Sequence, residues 1–182
     1  MPDPKISTPS PRPANVHRLL TVNDVQLQSL AEVLIDCVSG GASVSFMHPL
    51  SPEKALAFWR VVAQGVTTGE RALLVVEDDS GIVGTVQLVL AQPENQPHRA
   101  DVAKMLVHRR ARRQGLGEAL MQAAEREARV CGKTLLMLDT TVGMDAERLY
   151  TRLGWQRFGE VPGHALLAHG GLSDTAFFYR LL

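Results

Sequence analysis

Aromatic side chains are scarce in this chain: two Trp, two Tyr and five Phe make up 5% of its 182 residues. Surfaces that stack the bases of a nucleic-acid strand interleave aromatics with cations, and too few are present to build one. Charge of one sign is also missing, with 19 Lys and Arg against 19 Asp and Glu, which argues against wholesale binding to a polyanion. Cysteine is nearly absent. Cys37 and Cys131 stand far apart, without His or Cys neighbours at metal-ligand spacing, so neither a disulfide framework nor a bound metal is expected. Reduced thiols fit a cytoplasmic location. No apolar run is long enough to cross a bilayer, and the N-terminal MPDPKISTPSPRPANV lacks the apolar stretch of a signal peptide. Its five prolines before Ala14 disfavour a helix, so residues 1–15 are expected to form a mobile tail and residues 16–182 one domain.

What is present is a periodic apolar pattern. After a short strand at Val16 to Leu20, Val25, Leu27, Leu30, Val33, Leu34 and Val38 recur at helical spacing, with Asn23 or Asp24 to cap the start and Gly40 and Gly41 to end it. A second helix is predicted from Pro52 to about Val66, with Ser51 as N-cap. ALLVVED and IVGTVQLVLA then form a hairpin around Asp79, Ser80 and Gly81, and ADVAKMLVH gives a further strand. A long helix from about Gly115 to Val130 follows, then a buried strand at KTLLMLDT and a helix from about Met144 to Leu153. The last elements are a strand at WQRFGEV, a loop beginning at PGHAL, and a strand near Thr175 to Leu181.

The chemistry concentrates at RRQGLG, Arg112 to Gly117, where a glycine-bearing loop opens the long helix. A helix start has unpaired N–H groups and the positive end of the macrodipole, so a loop that admits an anion there suits a phosphate. No Lys-Ser/Thr follows the second glycine, so this is not a Walker loop, and the first glycine of a dinucleotide fingerprint is missing. Between Arg99 and Arg113 six cations face a single acid, Asp101, which points to a confined anionic ligand.

Arg112-x-x-Gly115-x-Gly117 after the strand ending KMLV, together with AERLYTRLGW beyond the next strand, resembles the acetyl-CoA signature of the GNAT (Gcn5-related) N-acetyltransferase superfamily. GGASVSFM, HRADVAKMLV, LLMLDT and the closing PG to FFYRLL segment are similar to its tabtoxin-resistance branch, whose acceptor is a toxic amino-acid β-lactam. The resemblance implies an α/β (α+β) fold with a mixed central sheet of about six to seven strands and about four helices. It implies acetyl-CoA as cosubstrate and a small-molecule amine, of toxin, antibiotic or amino-acid type, as acceptor, and it allows a homodimer. Backbone groups of Met105, Leu106 and Val107 would pair with the pantetheine arm. Those of Arg113, Gln114, Gly115, Leu116, Gly117 and Glu118 would hold the diphosphate, with Arg109, Arg110, Arg112 and Arg113 neutralising charge.

For the transfer step the resemblance implies Asp101 or Asp139 as general base, either directly or through water. It implies Tyr150 as the group that binds the sulfur and protonates it, and an N–H near Leu106 as oxyanion donor. One departure stands out. The asparagine usual seven residues before this tyrosine is Gly143, so a contact is lost or is supplied by Thr141 or Asp145. A CoA-binding module without turnover, an enzyme acetylating proteins or peptides, and a weak nucleic-acid binder remain alternative readings.

Overall fold

The computed structural model describes residues 15–182; the expectation for the tail falls on residues 1–14, outside the described residues. Asn23 caps the first helix with a full capping box, its side chain accepting from the Gln26 N–H while the Gln26 side chain accepts from the Asn23 N–H. That helix is α1 (Asp24–Ser39), preceded by β1 (Val16–Leu19). Ser51 accepts from the Lys54 N–H to start α2 (Pro52–Thr67). Then come β2 (Arg71–Asp78), β3 (Gly81–Val89) and β4 (Arg99–Val107), a single turn at Arg109–Ala111, and α3 (Leu116–Val130). The chain closes with β5 (Leu135–Thr141), α4 (Asp145–Arg152), β6 (Gln156–Leu166) and β7 (Leu172–Leu181).

The seven strands form one mixed sheet in the order β1-β2-β3-β4-β5-β7-β6, in which only the β4–β5 pair is parallel. One core lies between the sheet and α3 and α4, built on Leu74, Leu88, Leu120, Met121, Leu136 and Phe178. The other lies under α1 and α2 and includes Leu30, Leu34, Trp59, Leu73 and Val75. Strand residues alternate between these cores because successive side chains point to opposite faces. Trp59 is fully buried; truncating a side chain of that size costs about 3–5 kcal/mol.

Two sequence expectations are corrected here. The PGHAL segment is not a loop: β6 runs through Pro162 and Gly163 to Leu166, and only residues 167–171 turn. Proline is tolerated because β6 is an edge strand, where an N–H can go unpaired, and an irregularity between Val161 and Ala165 absorbs the misfit. The β5 strand is not buried throughout: Leu136, Leu138 and Thr141 are buried, Leu135, Met137 and Thr140 are half-buried, and Asp139 is exposed. Both cysteines are free thiols. Among the described residues no helix is long and apolar enough to cross a membrane.

The feature that positions a site is where pairing stops. β4 and β5 pair only from Arg99↔Leu135 to Asp101↔Met137. Beyond that point β4 stays paired with β3 as far as Val107↔Gly84, and β5 with β7 as far as Thr141↔Thr175. Both strands therefore continue while separating, and the inner edge of β4 is left without strand partners. A bulge drives the divergence: the two steps from Thr85 to Gln87 face the three steps from Leu106 to Ala103, with Lys104 at φ 50°. The extra residue also flips the alternation. Ala100 and Val102 face the α3 core, yet Leu106 packs in the α1/α2 core.

Candidate active site

The gap between the diverging strands is a cleft of about 690 Å³, walled by β4, the α1–α2 loop, the start of α3, the end of β5 and α4. At one end, the loop after β4 enters α3 through Gly115 at φ 78°, ψ 1°, a left-handed conformation that glycine adopts without strain. No side chain caps this helix, so its first N–H groups remain available. Gly117 lies close under α4: a Cβ there would sit 3.1 Å from Leu149 Cδ2. Uncapped amides, a bare glycine and adjacent guanidinium groups fit the diphosphate of a CoA-type ligand.

The arginines divide their work. Arg109 is committed to Asp36, which accepts from both its backbone N–H and its Nε at 2.8 Å, and Arg110 is paired with Asp78. Arg112 donates from Nε to the Val107 carbonyl at 3.0 Å and lines the cleft with Arg113. Of the four arginines after β4, two are thus structural staples and two face the ligand space. Burial pushes the Asp36 carboxyl up, but the Arg109 hydrogen bonds and the nearby charges outweigh it and leave the group below its ordinary 3.8.

Met105, Leu106 and Val107 line the cleft along the unpaired edge of β4, and Leu116, Gly117 and Glu118 line it at the helix start. Gln114 is not among the lining residues. Asp139 and Tyr150 come together at the mouth of the gap, from the end of β5 and from α4. Tyr150 is 6% exposed, packed beside Trp155 and Phe178 with ring centroids at 6.1 Å. Burial, reinforced by the Asp139 charge, raises its phenol well above the ordinary 10, so it stays protonated across the physiological range. Asp101 is not brought into the cleft wall. It lies at the last β4–β5 pair, with one oxygen paired to Arg99 and the other accepting from Gln92 Nε2 at 3.1 Å.

At the helix start neither Thr141 nor Asp145 bonds the Gly143 N–H, though both line the cleft. The Gly143 N–H donates to Glu147 Oε2 at 2.6 Å and its carbonyl accepts from Arg148, while Asp145 pairs with Arg148. The α4 helix thus secures its own entry. Sequence reasoning gave Lys104 no site role, yet it lines the cleft. Its signal was present: strict alternation would place a lysine on the core face with Ala100 and Val102, and a bulge avoids that burial. Cys37 also lines the cleft, with its thiol raised by burial and donating to the Val107 carbonyl at 3.5 Å. Among the described residues no group of three or more His, Cys, Asp or Glu is placed to hold a metal.

Known proteins share this arrangement. The sequence model of the Acetyltransferase (GNAT) family matches residues 30–155. An uncharacterized N-acetyltransferase in the hisH-hisA intergenic region of Azospirillum brasilense is 32% identical over 126 residues, 68% of this chain and 73% of that protein. The crystal structure of ribosomal-protein-alanine N-acetyltransferase from Brucella melitensis is similar with a TM-score of 0.77 at 19% identity, over 92% of this chain and 99% of that one. A GNAT superfamily phosphinothricin acetyltransferase from Sinorhizobium meliloti, in complex with AcCoA, gives 0.74 at 20% identity, over 94% and 89%. At these identities the structural likeness concerns the fold.

Proposed function

The chain belongs to the GNAT acetyltransferase family and is an N-acetyltransferase that uses acetyl-CoA; from that premise we propose that its acceptor is the primary amine of a small molecule, of toxin, antibiotic or amino-acid type, acetylated by direct transfer in a ternary complex. The observation that carries this reading is the wall at the acceptor end. Gly40 to Ser45 line the cleft, and the same loop is tied to the β6–β7 turn. Ser43 Oγ donates to the Leu166 carbonyl at 3.3 Å, the His48 N–H donates to the Ala168 carbonyl at 2.8 Å, and the His48 and His169 rings lie 4.6 Å apart. A loop anchored on both sides of the gap favours a compact acceptor over a chain lying across it. The likeness to the tabtoxin-resistance branch supports the same class.

Acetyl-CoA supplies the activated acetyl thioester. Asp139, free of ion pairs at the strand end, takes the proton from the acceptor amine. Asp101, with both oxygens engaged, instead anchors the vertex where the strands part, so we assign the base to Asp139. Tyr150 keeps its proton through burial and delivers it to the departing sulfur. An N–H near Leu106 receives developing negative charge on the carbonyl oxygen. Met105, Leu106 and Val107 offer a strand edge to the pantetheine arm, and the α3 start holds the diphosphate beside Arg112 and Arg113.

Thiol release from acetyl-CoA, measured with amino acids, polyamines, aminoglycosides, a β-lactam amino acid and peptides, tests this reading. Stimulation by one small-amine class and by no peptide is the expected result. Stimulation by peptides alone overturns the small-molecule acceptor. CoA binding in calorimetry without release on any acceptor favours a non-catalytic CoA-binding module.

A further inference from the structure

Lys104 is a half-buried cation without a counterion. Its side chain leaves the bulge on the α1/α2 side of the sheet, where Nζ lies 3.5 Å from Ser45 Oγ and 5.6 Å from the centroid of the Phe58 ring. Among the described residues it forms no ion pair, since no carboxylate oxygen lies within 4.0 Å. Asp139, on the other side of the gap, forms none either. The two charges sense each other, yet they are held apart by more than a salt-bridge distance.

The corner around Lys104 is rich in donors. Gln87, fully buried opposite Ala103, gives its Oε1 to Arg71 at 2.7 Å, which leaves its Nε2 without a partner. Gln87 pairs across the sheet with Leu73, a member of the α1/α2 core, so the amide and Lys104 share a face. Withdrawing a cation from water without a partner is costly, and an anion arriving with the ligand offsets that cost. The diphosphate is not that anion. It belongs to the α3 start with Arg112 and Arg113, whereas Lys104 lines the cleft beside Ser45.

Building on the small-amine reading above, we propose that Lys104 binds a carboxylate of the acceptor, which makes the substrate class a compact amino acid with its amine toward Asp139. A separated cation and anion complement a zwitterion lying between them, ammonium to Asp139 and carboxylate to Lys104. Deprotonation of the amine by Asp139 then leaves the molecule held by its other end, which orients the nitrogen for attack.

The test compares matched acceptors, each amino acid with its carboxamide and its decarboxylated amine, in wild type, Lys104→Met and Lys104→Arg. Wild type is expected to favour the carboxylate by about 10- to 100-fold in kcat/KM, because a buried charge left unpaired penalises the neutral analogue. Lys104→Met should bring that ratio to within about twofold, mainly through KM, and Lys104→Arg should keep part of it. No preference in wild type, or an unchanged preference in Lys104→Met, overturns the inference while leaving the small-amine acceptor standing. A second measurement needs no turnover: calorimetric binding of N-acetyl amino acids and their amides to the CoA-loaded proteins. Binding of the carboxylates alone, lost in Lys104→Met, supports the inference even if the small-amine reading fails. Absent binding, or equal binding by both proteins, overturns it.

Discussion

At the α3 end of the cleft the protein presents backbone: uncapped N–H groups behind Gly115 and the unpaired edge of β4. At the opposite end it presents side chains, with Lys104, Asp139 and Ser45 drawn from three separate segments. Backbone recognition is generic and suits a cofactor that every turnover shares. Side-chain recognition is specific and changes with single substitutions, as an acceptor site requires. The difference teaches that one cleft can hold a constant half and an adjustable half when a single strand, β4, borders both.

The largest effect is expected where the two halves meet. Asp139→Asn should lower kcat/KM by about 10²–10⁴-fold with CoA affinity little changed, while Asp101→Asn should stay within about tenfold. Steady-state kinetics on both variants check this, and the reverse order would return the base to Asp101. Tyr150→Phe should reduce kcat by about 10²-fold or more while CoA affinity holds. Because the Tyr150 phenol is raised above 10, ultraviolet difference titration of wild type against this variant should show no phenolate from it up to pH 10. Phenolate appearing below that pH would remove it as a proton donor.

Gly117→Glu attacks the backbone half alone. It places a carboxylate against the ligand's phosphates and should weaken CoA binding by at least about 100-fold in calorimetry, roughly 3 kcal/mol, with a melt that stays cooperative although the new Cβ crowds Leu149. Normal affinity would mean that the helix start is not the grip. The smallest effect belongs to the staples behind both halves. Asp36→Asn should lower stability by about 1–2 kcal/mol near neutral pH, because Asp36 ties α1 to the loop after β4 through Arg109. Its folded pKa lies below the ordinary 3.8, so this stabilisation is fully present above that pH and is lost as pH falls through the folded value. Melting curves of the two proteins should therefore converge only as pH falls below 3.8 and through the lowered folded value. A constant gap would assign the effect to packing.

Local signals carried the reading where a short segment settles its own conformation. The capping box at Asn23, Ser51 before Pro52 and the turn before Gly81 all stand where the sequence puts them. Asp101 illustrates the opposite case. It occupies the position implied for a base, but its neighbours Arg99 and Gln92 claim its oxygens, and Gln92 reaches it only because the chain folds back. The PGHAL segment was misread because proline and glycine usually break strands, and only the sheet order reveals that β6 is an edge where both are tolerated.

The sequence by itself determined the order of elements, the glycine-bearing helix start and the motif pair that marks an acetyl-CoA site, because these depend on neighbours within a few residues. Tertiary structure alone decided which arginines face the ligand space and which of the two aspartates reaches it. It also decided that Lys104 and Asp139 line the same cleft without pairing. Those outcomes rest on a one-residue bulge and on where β4 and β5 stop pairing. A change of one residue in register moves every later side chain to the other face, and only the assembled sheet fixes that register.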